Sequence, residues 1–298
     1  MLPVMRDARC LLFFPGTRPE LLPKALRSGA PLVCLDLEDA VAPEHKGAAR
    51  EHARKLLAGD DVSTNRVSVR INHPSTPAGD DDLRMLLEIT TRGNAAERPQ
   101  ALTVLIPKVD AAEDVAAVRE RWTSKDSAPN LVAAIESARG LARVEDVATA
   151  PGVSGLLFGG LDLSLDLGTA LDWEALLYAR SRTVLAARIA DVVLMDTPHF
   201  DLDAEASLTA EARRARRLGF TGKAAIHPSQ VAPILAAFSP SASDVAAAKR
   251  ILEARARAEG GVFTLDGVMV DRPAVEAARR VVASAGAPLP EDDRRGGP

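Results

Sequence analysis

Residues 131–136 read LVAAIE, and residues 155–162 read GLLFGGLD. Each stretch is a short apolar run that leads into an acidic residue, and the segment Leu141–Thr149, which has helical period, lies between them. Runs that are apolar on both faces and joined by a crossover helix are typical of a parallel sheet covered by helices. This unit therefore predicts an α/β fold.

The same alternation of strand and helix recurs along the chain. The other strand-length runs are Cys10–Phe14, Leu32–Leu37, Val67–Ile71, Leu102–Ile106, Val192–Met195 and Ala224–Ile226. The other candidate helices are Pro19–Ser28, Glu44–Leu57, Asp80–Thr91, Ala111–Trp122, Trp173–Ala187, Ala204–Leu218 and Ser229–Ala237. Eight such units in about 230 residues predict a closed (β/α)8 TIM barrel, with an open doubly wound sheet as the alternative. Charged residues, Pro and Gly directly after the strands favour closure, because that rim carries the active site in barrels.

The sequence after the eighth unit is too long to be a ragged end. It contains a helix-like Asp244–Glu259, a strand-like Val262–Val270 and a helix-like Pro273–Ala285. We predict a barrel domain over residues 1–240, a C-terminal lid extension over 241–286 and a disordered tail over 287–298. The extension either covers the bottom of the barrel or closes over an active site, its own or a neighbour's.

Composition narrows the class of partner. The 298 residues carry a net charge of −4 with both signs interspersed, which argues against nucleic acid and anionic membranes as partners. No run of 18 apolar residues and no signal peptide is visible. The two cysteines, Cys10 and Cys34, lie in apolar runs, as expected of buried thiols in a reducing compartment. We therefore expect a cytoplasmic protein that acts on a small molecule.

Two carboxylates follow neighbouring strands, Glu136 after the fifth and Asp162 after the sixth. Adjacent parallel strands end side by side, so both side chains can reach one hard cation, Mg²⁺ or Mn²⁺. No cluster of Cys and His suggests zinc. The alternative is that Glu136 pairs with Arg139 or Arg143 and that Asp162 caps the next turn.

Three more carboxylates, Asp36, Glu38 and Asp39, crowd the end of the second strand. They would repel one another unless cations or hydrogen bonds hold them, and such crowding indicates a site. The alternative is that Glu38 or Asp39 caps the next helix and that Asp36 pairs with Lys46 or Arg50.

Arg70 ends an otherwise apolar strand, where a buried guanidinium needs an anion. A substrate carboxylate, a thioester oxygen or Glu38 would serve. Arg18 and Lys24 lie in the first loop and helix, where cations can meet phosphates, although a solvated helix face also explains Lys24.

Several ordered motifs resemble a known family. They are Phe14-Pro15-Gly16-Thr17-Arg18-Pro19-Glu20, Asp36-Leu37-Glu38-Asp39-Ala40, Arg70-Ile71-Asn72, Pro107-Lys108-Val109, Ala134-Ile135-Glu136-Ser137, Phe158-Gly159-Gly160-Leu161-Asp162, Asp196-Thr197-Pro198, Gly222-Lys223, Ala225-Ile226-His227-Pro228 and Asp266-Gly267-Val268-Met269-Val270-Asp271. Over residues 10–283 the chain resembles the citrate lyase beta subunit family, which groups with malyl-CoA and citramalyl-CoA lyases in the HpcH/HpaI aldolase/citrate lyase superfamily.

The resemblance implies a (β/α)8 barrel in which Glu136 and Asp162 hold Mg²⁺. It further implies that Arg70 contacts the 2-oxo acid or thioester oxygen and that Arg18 and Lys24 lie near the CoA phosphates. The expected product class is then a 2-oxo acid together with acetyl-CoA.

The resemblance also suggests a homo-oligomer, a trimer or hexamer, in which Asp271 is contributed to a neighbouring subunit's site. Aldolases of the superfamily carry a His base where this chain has Asp39, which argues against that branch. Two departures from the family pattern are Leu21, where relatives carry an Arg, and Ile189-Ala190, where they carry Ala-Gly.

The resemblance, together with the metal pair, Arg70 and Asp271, implies a Mg²⁺-dependent carbon–carbon lyase acting on malyl-CoA, citramalyl-CoA or citryl-CoA. Asp271 would exchange a proton with the acetyl methyl group, and Glu38 and Asp39 would orient metal-bound waters. The alternatives are the beta subunit of an acyl-carrier-dependent citrate lyase complex and a related acyl-CoA thioesterase.

Overall fold

The computed structural model describes residues 8–58, 66–91, 102–122, 128–258 and 260–286. The chain divides into two compact units, Met1–Leu235 and Ala236–Pro298. The tail over 287–298, for which the composition predicts disorder, lies outside the described residues.

Eight parallel strands form the first unit. They are β1 (Cys10–Pro15), β2 (Leu32–Asp36), β3 (Val67–Arg70), β4 (Thr103–Ile106), β5 (Asn130–Ile135), β6 (Val153–Phe158), β7 (Val193–Asp196) and β8 (Gly222–Ala225). Strand β1 pairs with both β2 and β8, so the sheet closes on itself. The predicted TIM barrel is confirmed, and the open doubly wound sheet is excluded.

Helices follow the strands along the chain. In the first part they are α1 (Leu22–Arg27), α2 (Lys46–Ala58), α3 (Pro77–Thr91), α4 (Ala112–Arg119), α5 (Ala138–Ala142), α6 (Val144–Thr149) and α7 (Gly160–Asp166). The later helices are α8 (Leu177–Ala190), α9 (Glu205–Leu218), α10 (Val231–Phe238), α11 (Ala242–Arg257) and α12 (Arg272–Ser284). Single 3₁₀ turns at Pro19–Leu21, Pro43–His45 and Pro228–Gln230 precede α1, α2 and α10, since Pro suits the first turn of a helix.

Some helix boundaries differ from those predicted. The segment predicted as one helix over Leu141–Thr149 is two short helices, because Arg143 between them leaves helical geometry at φ −115° and ψ 18°. Helix α7 was not predicted, since its first residue is the second of two glycines, which have poor helix propensity. Asp162 consequently lies in the first turn of a helix and not in a loop.

The alternation of side chains along the strands directs polar residues into the barrel mouth. Cys34 on β2 and Ala134 on β5 belong to the apolar cluster inside the barrel. Side chains two residues further on point to the same face, and these are Asp36 and Glu136. Along each of these strands, the inward-facing side chains are therefore apolar in the barrel interior and acidic at its mouth.

The two cysteines behave as predicted. Cys10 and Cys34 are both buried free thiols. Burial raises the pKa of each thiol to about 12, so both stay neutral and act as small apolar side chains.

The second unit has its own apolar core between α11 and α12, built on Leu252, Val275 and Val282. The single strand predicted over Val262–Val270 is wrong. The segment forms a hairpin of β9 (Phe263–Leu265) and β10 (Val268–Val270), and Asp266-Gly267 makes its turn with positive φ at both positions. Asp-Gly is a strong signal for such a turn, because both residues tolerate the left-handed conformation.

One helical stretch, Pro228–Arg257, meets a test for a membrane span that considers only length and composition. Core helices of water-soluble proteins meet the same test. The stretch is also interrupted, because α10 ends at Phe238 and Ser241 caps the start of α11.

Candidate active site

The side chain of Arg70, at the end of β3, is held by Asp36 at the end of β2. Its Nε donates to Asp36 Oδ1 at 2.7 Å and its Nη2 to Oδ2 at 2.6 Å, a bidentate ion pair. Asp36 also accepts the backbone N–H groups of Glu38 and Ala40, at 2.9 and 3.1 Å. With both oxygens engaged, Asp36 orients Arg70 and the loop after β2.

The alternative in which Asp36 pairs with Lys46 or Arg50 is wrong. Lys46 Nζ donates to the carbonyls of Leu37 and Glu38, each at 3.0 Å, and so holds the backbone of the same loop. Arg50 Nε instead donates to the buried Asp82 at 2.9 Å. Lys46 is the first residue of α2 and reaches the loop carbonyls, whereas Arg50, one turn further along, reaches Asp82 on α3.

Glu38 and Asp39 do not cap a helix, since the turn that follows them has Ala42 at its N-cap position. Lys108 Nζ contacts both carboxylates. Burial raises the pKa of Glu38, whereas Asp39, although burial opposes its ionisation, has its pKa lowered by Lys108 and Arg70. The two acids therefore differ in electrostatic environment although they are adjacent in sequence.

Glu38, one of the anions that the sequence suggests for Arg70, lies next to its guanidinium. Its Oε2 lies 3.1 Å from Arg70 Nη1, within ion-pair distance, although that buried oxygen has no partner with hydrogen-bond geometry. Asp36 is the partner that sequence reasoning did not assign to Arg70. The pairing depends on register, because Asp36 and Arg70 lie opposite each other in the β2–β3 ladder.

Glu136 is buried beside these groups. Its Oε2 accepts the backbone N–H of Lys108 at 2.7 Å, and no ion pair joins it to Arg139 or Arg143 in the described structure, contrary to the alternative from spacing. Burial, together with the charges of Glu38 and Asp162, raises its pKa to about 7. The N–H of Lys108 and the charge of Arg70 lower this pKa, but they do not offset burial and the neighbouring carboxylates.

Gly159 explains how Glu136 fits. A Cβ at this position would lie 2.2 Å from Glu136 Cγ and 2.7 Å from Oε1, so the Glu136 side chain or the loop would have to shift. The glycine before α7 therefore leaves the space that the Glu136 carboxylate occupies. Substitution here would displace the carboxylate from the cavity.

Asp162 faces the same cavity from the first turn of α7. Gly159 is the N-cap residue of that helix, so Asp162 is not the side-chain cap suggested by the alternative. Glu136 and Asp162 thus meet at one cavity, as their positions after adjacent strands predict.

The cavity at the barrel mouth has a volume of about 370 Å³. Its charged lining is Asp36, Asp39, Arg70, Glu136 and Asp162, and its apolar lining includes Phe13, Phe14, Leu157, Leu161, Phe200 and Ile226. Arg70 also lies over the ring of Phe13, 5.1 Å from its centroid. Convergent charges within apolar walls are typical of a site for a small charged ligand.

Carboxylates outnumber cations at this mouth, and the donor set fits a hard divalent cation. The acid cluster, defined as Asp36, Glu38, Asp39, Glu136 and Asp162, is contacted by two cationic side chains, Arg70 and Lys108, in the part of the chain that the structure describes. No group of three or more His, Cys, Asp or Glu side chains suited to metal binding occurs among the described residues. Two carboxylates with open positions nevertheless suit Mg²⁺, which keeps several waters and shares its sphere with substrate.

Arg18 and Lys24 are not among the residues that line this cavity. Arg18 pairs with Glu20 on the surface, and Lys24 is exposed on α1. Asp271, in the second unit, caps α12 by accepting the N–H of Ala274 at 3.2 Å. Their roles toward CoA and in proton exchange stay predictions.

A buried ion-pair network, which sequence reasoning missed, lies under the loop after β7. Lys223 is fully buried on β8 and donates to Asp196 at 2.8 Å, to the Thr197 carbonyl at 2.6 Å and to Glu211. Arg180 reaches Asp196 from α8 at 3.2 Å. The network holds Thr197, which lines the mouth cavity. The available signal was a lysine directly before the eighth apolar run.

Comparison with known proteins places the chain in a family. Residues 9–228 match the HpcH/HpaI aldolase/citrate lyase family, and residues 173–287 match a family described as C–C bond lyase of the TIM-barrel fold. The citrate lyase subunit beta-like protein of Deinococcus radiodurans is 33% identical over 92% of this chain and 96% of its own. The L-malyl-CoA/beta-methylmalyl-CoA lyase of Rhodobacter capsulatus is 34% identical over 93% and 94%, respectively.

Solved structures agree. CitE of Mycobacterium tuberculosis, in complex with magnesium, acetoacetate and coenzyme A, superposes with a TM-score of 0.80 at 33% identity and covers 94% of this chain and 99% of its own. RipC of Yersinia pestis gives a TM-score of 0.68 at 33% identity, over 81% and 99%. The predicted fold and the predicted class of carbon–carbon lyase are confirmed. The chain belongs to the HpcH/HpaI aldolase/citrate lyase family.

Proposed function

We propose that this protein is a Mg²⁺-dependent lyase that cleaves a 3-hydroxyacyl-CoA, such as malyl-CoA, citramalyl-CoA or citryl-CoA, to a 2-oxo acid and acetyl-CoA, or catalyses the reverse condensation. The observation that carries the proposal is the meeting of Glu136, Asp162 and Arg70 at one cavity of about 370 Å³. Relatives named as malyl-CoA lyases and a neighbour that holds magnesium and coenzyme A support it.

Glu136 and Asp162 would hold the metal ion. Bound Mg²⁺, or Mn²⁺ in its place, supplies Lewis-acid chemistry that polarises the substrate hydroxyl and its neighbouring carboxylate. Burial disfavours the ionised form of Glu136 and raises its pKa to about 7. A bound cation would favour the ionised form. Glu38 and Asp39, which stand beside the pair, would orient bound waters.

Arg70 stabilises negative charge on the substrate in this proposal. Its bidentate ion pair with Asp36 fixes the guanidinium plane, and the backbone N–H groups of Glu38 and Ala40 fix Asp36 in turn. The guanidinium lines the cavity, where its positive charge would stabilise the negative oxygen of a thioester enolate. Donors that are already oriented need no rearrangement when that charge develops.

The bond changes in cleavage balance without an external oxidant or reductant. The carbon–carbon bond between the hydroxyl-bearing carbon and the thioester α-carbon breaks, and its electron pair becomes the enolate of acetyl-CoA. The hydroxyl loses its proton as a carbonyl forms, and the enolate carbon gains one. We propose Asp271 as the group that exchanges this second proton, from the same or a neighbouring subunit.

The remaining features of the proposal concern partners. Arg18 and Lys24, exposed in the loop and helix that follow β1, would contact the phosphates of CoA. A homo-oligomer, a trimer or hexamer, would let Asp271 act across subunits. A cytoplasmic location suits a CoA-dependent enzyme with two free, buried thiols.

The test is to incubate the purified protein with Mg²⁺ and each of the three thioesters, then identify the products by mass. We expect a 2-oxo acid and acetyl-CoA from at least one of them, and loss of both products in Glu136→Ala and Asp162→Ala. Undiminished turnover in both variants would contradict the metal site.

A second candidate is thioester hydrolysis, because a (3S)-malyl-CoA thioesterase of Cereibacter sphaeroides is 33% identical over 93% of this chain. A thioesterase would release free CoA without an oxo acid. A carrier-dependent subunit is the third candidate, supported by the beta-like relative. Activity of the isolated chain on free CoA thioesters would exclude it.

A further inference from the structure

Lys108 follows β4 in a backbone conformation that side chains seldom adopt. Its φ is +51°, in the left-handed region, one of three such non-glycine residues among those described. A lysine gains no local hydrogen bond there, unlike Asn or Asp, so the surrounding contacts must hold it. Strained backbone of this kind is concentrated at functional sites.

The left-handed backbone of Lys108 points its N–H group at Glu136, whereas an extended backbone would point this group in another direction. The N–H of Lys108 donates to Glu136 Oε2 at 2.7 Å. That bond engages one oxygen of the buried carboxylate, while Gly159 leaves room around Oε1. The backbone of one residue thus sets the orientation of the Glu136 carboxylate.

The side chain of the same residue contacts two other acids. Its ammonium group reaches Glu38 and, at 3.2 Å, Asp39. The side chain is 44% exposed, so small molecules in solution can reach the position. Among the residues that the structure describes, Lys108 supplies one of the two cationic side chains that contact the acid cluster.

We propose that Lys108 is a positioning residue with two separable functions, which rest on the proposed lyase activity. Its backbone N–H orients Glu136 for the metal ion. Its ammonium group offsets the charge of Glu38 and Asp39, so that an anionic oxo acid can enter a mouth otherwise crowded with carboxylates.

Removing the ammonium has opposite effects on two ligands. A less positive mouth binds a divalent cation equally well or more tightly, and it binds a carboxylate anion more weakly. We expect the affinity for the anion to fall by about threefold to tenfold, because the side chain is partly screened by water. Local loosening of the structure would instead weaken both ligands.

Two variants of Lys108 remove the ammonium group and keep the backbone N–H, so Mg²⁺ binding reports on the retained N–H bond and pyruvate binding on the lost charge. Lys108→Gly removes the ammonium and suits positive φ, so it keeps the N–H bond to Glu136. Lys108→Gln removes the charge but keeps the bulk and the strain. Asp191→Gly is the matched control, because Asp191 has φ +52° at the C-terminus of α8 and is not part of the acid cluster.

Calorimetric titration with Mg²⁺ alone, and with pyruvate in the presence of Mg²⁺, measures both affinities without relying on activity. We expect both Lys108 variants to bind Mg²⁺ at least as tightly as the unmodified protein and pyruvate more weakly. Added n-butylammonium should restore pyruvate binding in Lys108→Gly but not in Lys108→Gln, where the side chain fills the space. Asp191→Gly should change neither affinity.

Weaker Mg²⁺ binding in Lys108→Gly, or unchanged pyruvate binding in both Lys108 variants, would overturn the inference. Product analysis of the unmodified protein separates this outcome from failure of the proposed function. An inactive protein that shows the opposing shifts keeps the inference and loses the lyase assignment, whereas an active protein without them does the reverse.

Discussion

Two groups of charged side chains in the barrel unit differ in the ratio of carboxylates to cations. At the mouth, the acid cluster sets five carboxylates against Arg70 and Lys108. Under the loop after β7, two carboxylates, Asp196 and Glu211, face Arg180 and Lys223.

The difference between these groups separates a binding site from a structural network. In the β7 network each carboxylate is paired and Asp196 and Lys223 are fully buried, so the charges compensate one another. At the mouth, Glu136 has a pKa raised to about 7 by burial and by neighbouring acids, and it lines an open cavity. An excess of carboxylates at a cavity indicates that a cation belongs there.

The largest expected effect tests the role of the acid cluster at the barrel mouth. Replacing Glu136 by Gln or Asp162 by Asn should lower kcat/KM for thioester cleavage on the order of a thousandfold, because each would remove a charged ligand of the proposed metal ion. Steady-state kinetics with saturating Mg²⁺ measures the loss. Unfolding in urea without Mg²⁺ provides the contrast, since relief of repulsion should leave Glu136→Gln at least as stable as the unmodified protein.

The next largest effect tests the β7 network of Asp196, Glu211, Arg180 and Lys223. Lys223→Met leaves Asp196 and Glu211 short of a buried cation and should lower the free energy of unfolding by about 3 kcal/mol. Lys55→Met, on the exposed face of α2, is the matched control and should change stability by less than about 0.5 kcal/mol. Equal urea midpoints for the two variants would contradict a structural role for the β7 network.

In the proposed mechanism, Arg70 links the acid cluster to the substrate. Arg70→Lys keeps the charge but cannot reproduce the bidentate ion pair with Asp36, so we expect a loss on the order of a hundredfold in kcat. A preserved melting temperature together with reduced kcat would show that the fixed guanidinium plane matters. If the variant keeps full kcat, charge alone is sufficient.

The smallest effect is a dependence of stability on pH. The folded pKa of Glu136 is about 7 against a usual value of 4.5. As pH rises between these values, the unfolded chain ionises while the folded protein stays protonated, so the free energy of unfolding falls. Without Mg²⁺ we expect a loss of about 2 kcal/mol between about pH 5.5 and about pH 7.5.

Chemical denaturation across this range measures the loss, and Glu136→Gln should remove most of it. Added Mg²⁺ should stabilise the protein more at the upper pH than at the lower, because it binds the ionised carboxylate. A pH profile that is the same for Glu136→Gln and the unmodified protein would mean that this carboxyl is not the titrating group.

The sequence by itself determined the fold class and the position of the acids. Alternating apolar runs and helical segments predict eight strands and eight crossovers, and a two-residue period places Asp36 and Glu136 on the inner face at strand ends. The side-by-side ends of consecutive parallel strands bring Glu136 and Asp162 together. These are local patterns whose period is set by backbone geometry.

Only the tertiary structure decided which groups pair. Lys108 reaches Glu38, Asp39 and Glu136 over sequence separations of 28 to 70 residues, and no local pattern encodes such contacts. The space that Gly159 leaves for Glu136 likewise depends on how two strand ends meet in the closed barrel. Pairing among many nearby charges is a matter of distance and desolvation, which exist only once the barrel has formed.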